Sequence, residues 1–152
     1  VIGLGGRDLR QDWKNASEAY LGTTVTGFPN MFQLVGPNTG LGHNSIIFMI
    51  ESQMNLIMDC MRLAAQKRAD YVDVKPEVQR AFNAQVQRDM QGTVWTSGCK
   101  SWYQQADGKN TALWPYTTAK FWLDTRKAKA ADYVFGIASQ RLTSPKKTLE
   151  TA

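Results

Sequence analysis

Gly36-Pro37-Asn38-Thr39-Gly40-Leu41-Gly42-His43-Asn44-Ser45 is the stretch on which the reading of this chain turns. It holds three glycines, ends in good helix-capping residues and leads into a long apolar run. The residues before it, Met31 to Val35, are nearly all apolar and predict a short strand buried on both faces. The run after it predicts a helix over about Ser45 to Arg68. Glu51, Asn55, Asp59, Arg62 and Gln66 recur at helical spacing and form one narrow polar stripe, while Ile, Met, Leu and Phe cover nearly everything else. A surface helix carries an apolar stripe of roughly 100° or somewhat more, so this helix is expected to be packed on several sides. The rest of the chain supplies few partners for it, and the first residue is Val1 rather than Met. The chain therefore reads as a piece of a longer polypeptide.

A strand, a glycine turn and a helix start together make a place for anions or electron-rich rings. Glycines let a ligand approach the backbone, and the first-turn N–H groups carry partial positive charge. The expectation is an open hollow beside the leading end of the helix. No Lys-Ser/Thr pair follows the glycines, so this is not a P-loop. Nor is it the dinucleotide fingerprint, because in Gly40-Leu41-Gly42-His43-Asn44-Ser45 a serine stands where the third glycine belongs. By pattern alone, a plain structural connection fits equally well.

The 152 residues carry a net charge of +5 and 43% hydrophobic residues, one globular domain's worth of chain. The longest unbroken aliphatic-aromatic stretch, Ile46 to Ile50, falls far short of the roughly 20 residues of a membrane span, so no membrane partner is expected. Seven bases between Lys120 and Lys147 against Asp124 and Asp132 account for the whole net charge (7 − 2 = 5). Aromatics are not interleaved with them, so they read as a solvated helix face running into a loose tail over 139–152, and no nucleic-acid partner is expected. Cys60 and Cys99 read as free thiols of a reducing cytoplasm. With one histidine, His43, no metal is expected.

Elsewhere, Asp8 is placed to cap a short helix over Leu9 to Trp13, and Ala19 to Thr26 reads as extended. Gly27-Phe28-Pro29-Asn30 is a turn, and Val72 and Val74 mark a short extended link. Pro76 opens a second helix, with Val78, Phe82, Val86 and Met90 along one face, that ends at Gly92. Thr93 to Trp95 and Cys99 to Gln104 read as extended, Asp107-Gly108 as a hairpin-type turn, and Thr118 to Ala131 as a third helix.

The run Ala19-Tyr20-Leu21-Gly22-Thr23-Thr24, then Gly27-Phe28-Pro29-Asn30-Met31-Phe32, then Gly36 through Ser45, resembles the C-terminal part of flavin-dependent Baeyer–Villiger monooxygenases. The nearest look is to the branch containing 4-hydroxyacetophenone monooxygenases. Glu51-Ser52-Gln53, Thr93-Val94-Trp95, Ser101-Trp102-Tyr103, Gly108-Lys109 and Leu113-Trp114-Pro115 follow in family order. The resemblance implies an α/β fold class (α+β as a fragment): the C-terminal part of a discontinuous doubly wound FAD-binding fold, with a long buried helix, two further helices and a short hairpin. Residues 1–70 would be the last strand and helix of the FAD domain, 71–138 a helix–hairpin–helix extension, and 139–152 a flexible tail.

The resemblance also implies FAD and NADPH as cofactors. Gly36, Pro37, Asn38, Thr39, Gly40, Leu41, Gly42, His43, Asn44 and Ser45 would pass the flavin, and Trp102 would lie against NADPH. NADPH would reduce FAD, O2 would add to give a C4a-peroxyflavin, and its attack on a ketone or aldehyde carbonyl would release an ester or lactone. The glycine fingerprints and the arginine that supports the peroxyflavin would lie in the upstream part of the same polypeptide. No catalytic residue is therefore assigned here, and the chain alone is expected to be inactive. The alternatives are a flavin monooxygenase oxidising nitrogen or sulfur, and a stand-alone binding or interaction module.

Overall fold

The computed structural model describes residues 1–42, 44–91, 93 and 109–138. Its elements are α1 (Leu9–Asp12), α2 (Ile46–Gln66), β1 (Tyr71–Val74), α3 (Pro76–Met90), α4 (Thr118–Thr125) and β2 (Tyr133–Gly136). Strands β1 and β2 pair antiparallel, Tyr71 opposite Gly136 and Val74 opposite Tyr133. What reads in sequence as a link around Val72 is thus a strand, partnered by residues some sixty positions later. Helix α2 packs on α4 and on β1.

Helix α2 follows from its ends as well as from its apolar content. The Ser45 hydroxyl accepts from the Ile47 N–H at its start. At its end Arg68 adopts φ +51°, Arg68 N–H donates to Ala65 O and Ala69 N–H to Ala64 O, the paired bonds of a left-handed helix stop. Only part of its apolar surface is covered. Met49, Leu56 and Cys60 are buried together with Ser52 and Gln53, whereas Ile47, Met54, Met58 and Met61 are 43–62% exposed. The expectation of a helix packed on several sides is not met within this chain.

Two main clusters form the core. Leu21, Leu56, Cys60, Val72, Val74 and Tyr133 make one, and Met49, Val86, Met90, Leu113, Trp114 and Phe121 the other. Both join residues from before and after position 70. The Tyr20 hydroxyl donates to Asp132 across 2.6 Å and ties the N-terminal segment to the approach to β2. Burial, then the Asp132 carboxylate, pushes the Tyr20 hydroxyl well above the usual phenol range.

Three expectations are corrected. Ala19 to Thr26 is not extended. Tyr20 and Thr24 bond each other in both directions around a tight turn, with Leu21 at φ +52° and Gly22 at φ +59°. Met31 to Val35 is not a buried strand. Phe32 makes a single bridge to Thr24, Val35 has φ +54°, and Leu34 and Val35 are exposed. The third helix stops at Thr125, whose hydroxyl bonds back to Phe121 O. Ala128 N–H is then captured by the Asp59 carboxylate at 2.8 Å, and Ala130–Asp132 forms a separate 3-10 turn. The second helix does begin at Pro76, and Asp8 does cap α1 through Arg10 N–H. The extended pieces and the turn expected over 94–108, Cys99 among them, and the tail over 139–152 lie outside the described residues.

Candidate functional site: the Gly36 turn and the start of α2

The inner side of the turn is filled by the chain itself. A Cβ on Gly36 would stand 2.3 Å from the Gly22 carbonyl oxygen, and one on Gly40 2.8 Å from that of Ala112. On the side where a Cβ would point, these two glycines admit neighbouring backbone. The Thr39 hydroxyl donates to Gly36 O at 2.6 Å and closes the turn. Asn38, 2% exposed and at φ +56°, donates from Nδ2 to Asn110 O at 2.8 Å and to Leu113 O at 2.9 Å. Asn38 N–H bonds Thr111 O, Gly40 N–H bonds Ala112 O, and Trp114 N–H bonds Gly40 O. Residues 38–40 are therefore laced to 110–114, and Pro37 is buried beside them.

The outer side is open. Gly42, Asn44 and Ser45 are exposed and Leu41 is half-buried. Asn44 accepts from Ser45 N–H at 2.7 Å and donates to the Thr118 hydroxyl at 3.0 Å. The leading end of α2 is thus capped by Ser45 and steadied by Asn44. Cavities of about 620, 450 and 380 Å³ among the described residues are lined by residues away from the helix start. No acidic residue occupies the first turn of α2, and Ile46 and Ile47 stand exposed there. His43 and Trp102 lie outside the described residues.

No family model matches the chain. It is 46% identical over 135 residues to a Baeyer–Villiger monooxygenase of Pseudomonas aeruginosa, covering 88% of this chain and 26% of that protein. A Baeyer–Villiger monooxygenase of Streptomyces coelicolor is 47% identical over the same shares. Over most of its length the chain is similar to proteins of the Baeyer–Villiger monooxygenase family. It spans about a quarter of the length of these relatives. An FAD-binding monooxygenase of Aspergillus niger is 36% identical over 97% of this chain and 25% of its own. Among solved structures, a steroid monooxygenase bound to NADP superposes with a TM-score of 0.79 at 19% identity, over 90% of this chain and 26% of that one. A closed cyclohexanone monooxygenase superposes with a TM-score of 0.74 at 21% identity, over 90% and 27%. These superpositions establish the fold of the chain.

A cavity of about 620 Å³ is lined by Arg7, Asp12, Trp13, Glu18, Gln79 and Lys109 among others. Arg7 is paired with Asp12 at 2.7 Å and Lys109 with Glu18 at 3.1 Å. Its cations are matched by its own carboxylates, which leaves no charge surplus for a phosphate-bearing cofactor. Among the described residues no group of His, Cys, Asp and Glu could hold a metal ion, and no helix is long and apolar enough to cross a membrane.

The sequence marks Gly27 and Asn30 as turn residues but not the bonds they make. Asn30, at φ +58°, pairs with Val72 through its main chain and its side chain, standing in for one more strand at the edge of β1. Gly27, at φ +85°, gives its N–H to the Asp73 carboxylate. The Gly27–Asn30 turn is in this sense an internal bolt. Gln53 lies in the Glu51-Ser52-Gln53 run, and nothing in its spacing marks a buried amide.

Cys60 is fully buried and is no nucleophile. Burial pushes its thiol from 9.0 up to about 11. In a Cys99→Ser variant at neutral pH, a thiol reagent is expected to react about a hundredfold more slowly with folded than with unfolded protein, as the lower thiolate fraction dictates. The unfolded thiol ionises first, so the stability owed to this group is complete below pH 9 and is lost as pH rises toward 11. Equal reaction rates before and after denaturant would contradict the burial.

Proposed function

We propose that this chain is the C-terminal portion of an FAD- and NADPH-dependent oxygenase. The enzyme inserts one oxygen atom of O2 next to the carbonyl of a ketone or aldehyde, giving an ester or lactone. The observation that carries this is 46% identity over 88% of the chain to a Baeyer–Villiger monooxygenase. The ordered matches favour the 4-hydroxyacetophenone monooxygenase branch. The upstream part of the same polypeptide supplies the remainder of the site, and the enzyme works in the cytoplasm.

The residues present fit a cofactor that is both apolar and electron-rich. The start of α2 has no carboxylate of its own to neutralise its positive end, and Ile46 and Ile47 offer exposed apolar surface beside it. FAD, when bound, supplies the electron transfer and oxygen activation that side chains lack. The chain's own residues place and polarise. Asn38 and Thr39 hold the turn rigid from below, and the turn's open edge at Gly42, Asn44 and Ser45 meets the flavin, with His43 as a further contact. The first turn of α2 favours negative charge there by roughly 0.3–1 kcal/mol. Trp102 packs against NADPH. Residues 1–70 serve the FAD domain, 71–138 an extension packed on it, and 139–152 a tail. The exposed Met54, Met58 and Met61 on α2 are accounted for by packing against upstream polypeptide.

The isolated chain is expected to purify colourless and to oxidise no ketone with NADPH. A longer polypeptide containing it is expected to be yellow and to convert ketone to ester. Stoichiometric flavin on the isolated chain would refute the split site. A longer polypeptide that binds no flavin, or binds it and forms no ester, would refute the function.

A further inference from the structure

Val35 precedes the Gly36 turn directly and holds φ +54°. A β-branched residue in this region is an outlier that costs roughly 1–3 kcal/mol and persists only where its surroundings enforce it. Val35 is 47% exposed, so its side chain packing does not enforce it. One group does. The Gln53 side-chain carbonyl Oε1, two turns into α2, accepts the Val35 N–H at 2.9 Å. The same side chain is 0% exposed, and its Nε2 donates to Gly22 O at 2.9 Å and to the Thr23 hydroxyl at 3.0 Å. Both amide hydrogens and the carbonyl are thereby used. The Gly22 carbonyl it grips is the one on which Gly36 rests. A single buried amide therefore ties three things together: the Leu21–Thr23 turn, the strained residue that aims the chain into Gly36–Ser45, and the helix whose start those residues adjoin.

We infer that Gln53 is a positioning residue for the flavin edge. It touches no cofactor, but it holds Val35 left-handed and so sets the direction in which the turn crosses the start of α2. This rests on the reading that the outer edge of the turn meets FAD. Apolar replacement removes the acceptor that holds Val35, and the chain relaxes toward the extended conformation that valine prefers. The turn then moves off its line although the core beneath it remains.

The test uses Gln53→Met and Gln53→Glu, in this chain and in the longer polypeptide. Gln53→Glu keeps an acceptor for Val35 N–H and loses both donors. In the chain, the Val35 amide is expected to exchange faster in Gln53→Met, while the Met49 and Leu56 amides keep their protection. In the longer polypeptide, Gln53→Met is expected to raise the flavin dissociation constant roughly tenfold, the usual cost of removing a partner that orients a binding group, and to shift the visible flavin spectrum. Gln53→Glu is expected to fall between it and the unmodified protein. Val35→Gly, which adopts positive φ freely, is expected to restore flavin affinity when added to Gln53→Met. Asn83→Leu, a buried amide away from the turn, serves as a control for general destabilisation.

Unchanged flavin affinity and spectrum in Gln53→Met would overturn the inference alone. So would an equal loss of flavin in Asn83→Leu, or failure of Val35→Gly to rescue. A longer polypeptide that binds no flavin before any substitution would overturn the functional reading and the inference with it.

Discussion

Gly22→Ala is expected to destabilise the chain by about 3 kcal/mol and to lower its melting midpoint by about 6–12 °C. Two independent costs add. Gly22 sits at φ +59°, where any residue with a Cβ is strained by about 1 kcal/mol or more. The new methyl carbon would also stand 2.1 Å from Thr39 Cγ2 and 2.9 Å from Pro37 O. Neither neighbour gives way easily. Thr39 is fully buried with its hydroxyl bonded to Gly36 O, and Pro37 O is backbone. Overpacking of this kind costs about 1–3 kcal/mol. Gly6→Ala is the control: Gly6 has φ +81° but nothing within 4 Å of its added carbon, so it should lose about 1 kcal/mol. Thermal melts of the two variants decide the matter. Equal losses would mean that the contact between Gly22 and the 36–40 turn does not exist as described.

Asn38→Leu is expected to cost about 3 kcal/mol. Leucine has the same branched heavy-atom skeleton but bulkier methyl ends, so lost hydrogen bonds and tighter packing both contribute at this buried site. Asn38 Nδ2 serves the carbonyls of Asn110 and Leu113, and both are left without that donor. Leucine also tolerates φ +56° less well than asparagine. The expected signature is local as well as global: amide protection should fall at Gly40 and Trp114, which bond across the same seam. A melt within 2 °C of the unmodified chain, with protection at those amides retained, would rule out the lacing of the turn to 110–114. Asn38→Asp keeps the left-handed tolerance and loses the donor, so it separates the two contributions.

The glycine turn and the helix after it were legible because their signals are local. Capping residues, a proline at the first position of α3 and apolar residues at helical spacing act within a few positions, and the structure keeps each of them. The Asp8 cap and the Ser45 cap are of the same kind. What misled was the apolar run Met31–Val35. Hydrophobicity says that a segment seeks cover, not which cover or in what conformation. Here a buried glutamine from α2 and a bridge to Thr24 hold the run in an irregular path. The role of the glycines was half legible: small residues at Gly36 and Gly40 mean close approach, but only coordinates show that Gly22 and Ala112 make that approach.

The family resemblance was legible from ordered short matches, because residues such as Gly27, Asn30 and Asn38 have unusual backbone or bonding duties that few other residues can perform. The composition of α2 likewise implied a larger buried surface than this chain offers, since apolar content is a property of the sequence alone. Tertiary structure alone decided which carbonyls Gln53 and Asn38 would serve, which strand Tyr133 to Gly136 would meet, and where the third helix would stop. Those outcomes depend on groups brought together from distant positions, and a buried polar side chain takes its meaning from the partner it finds.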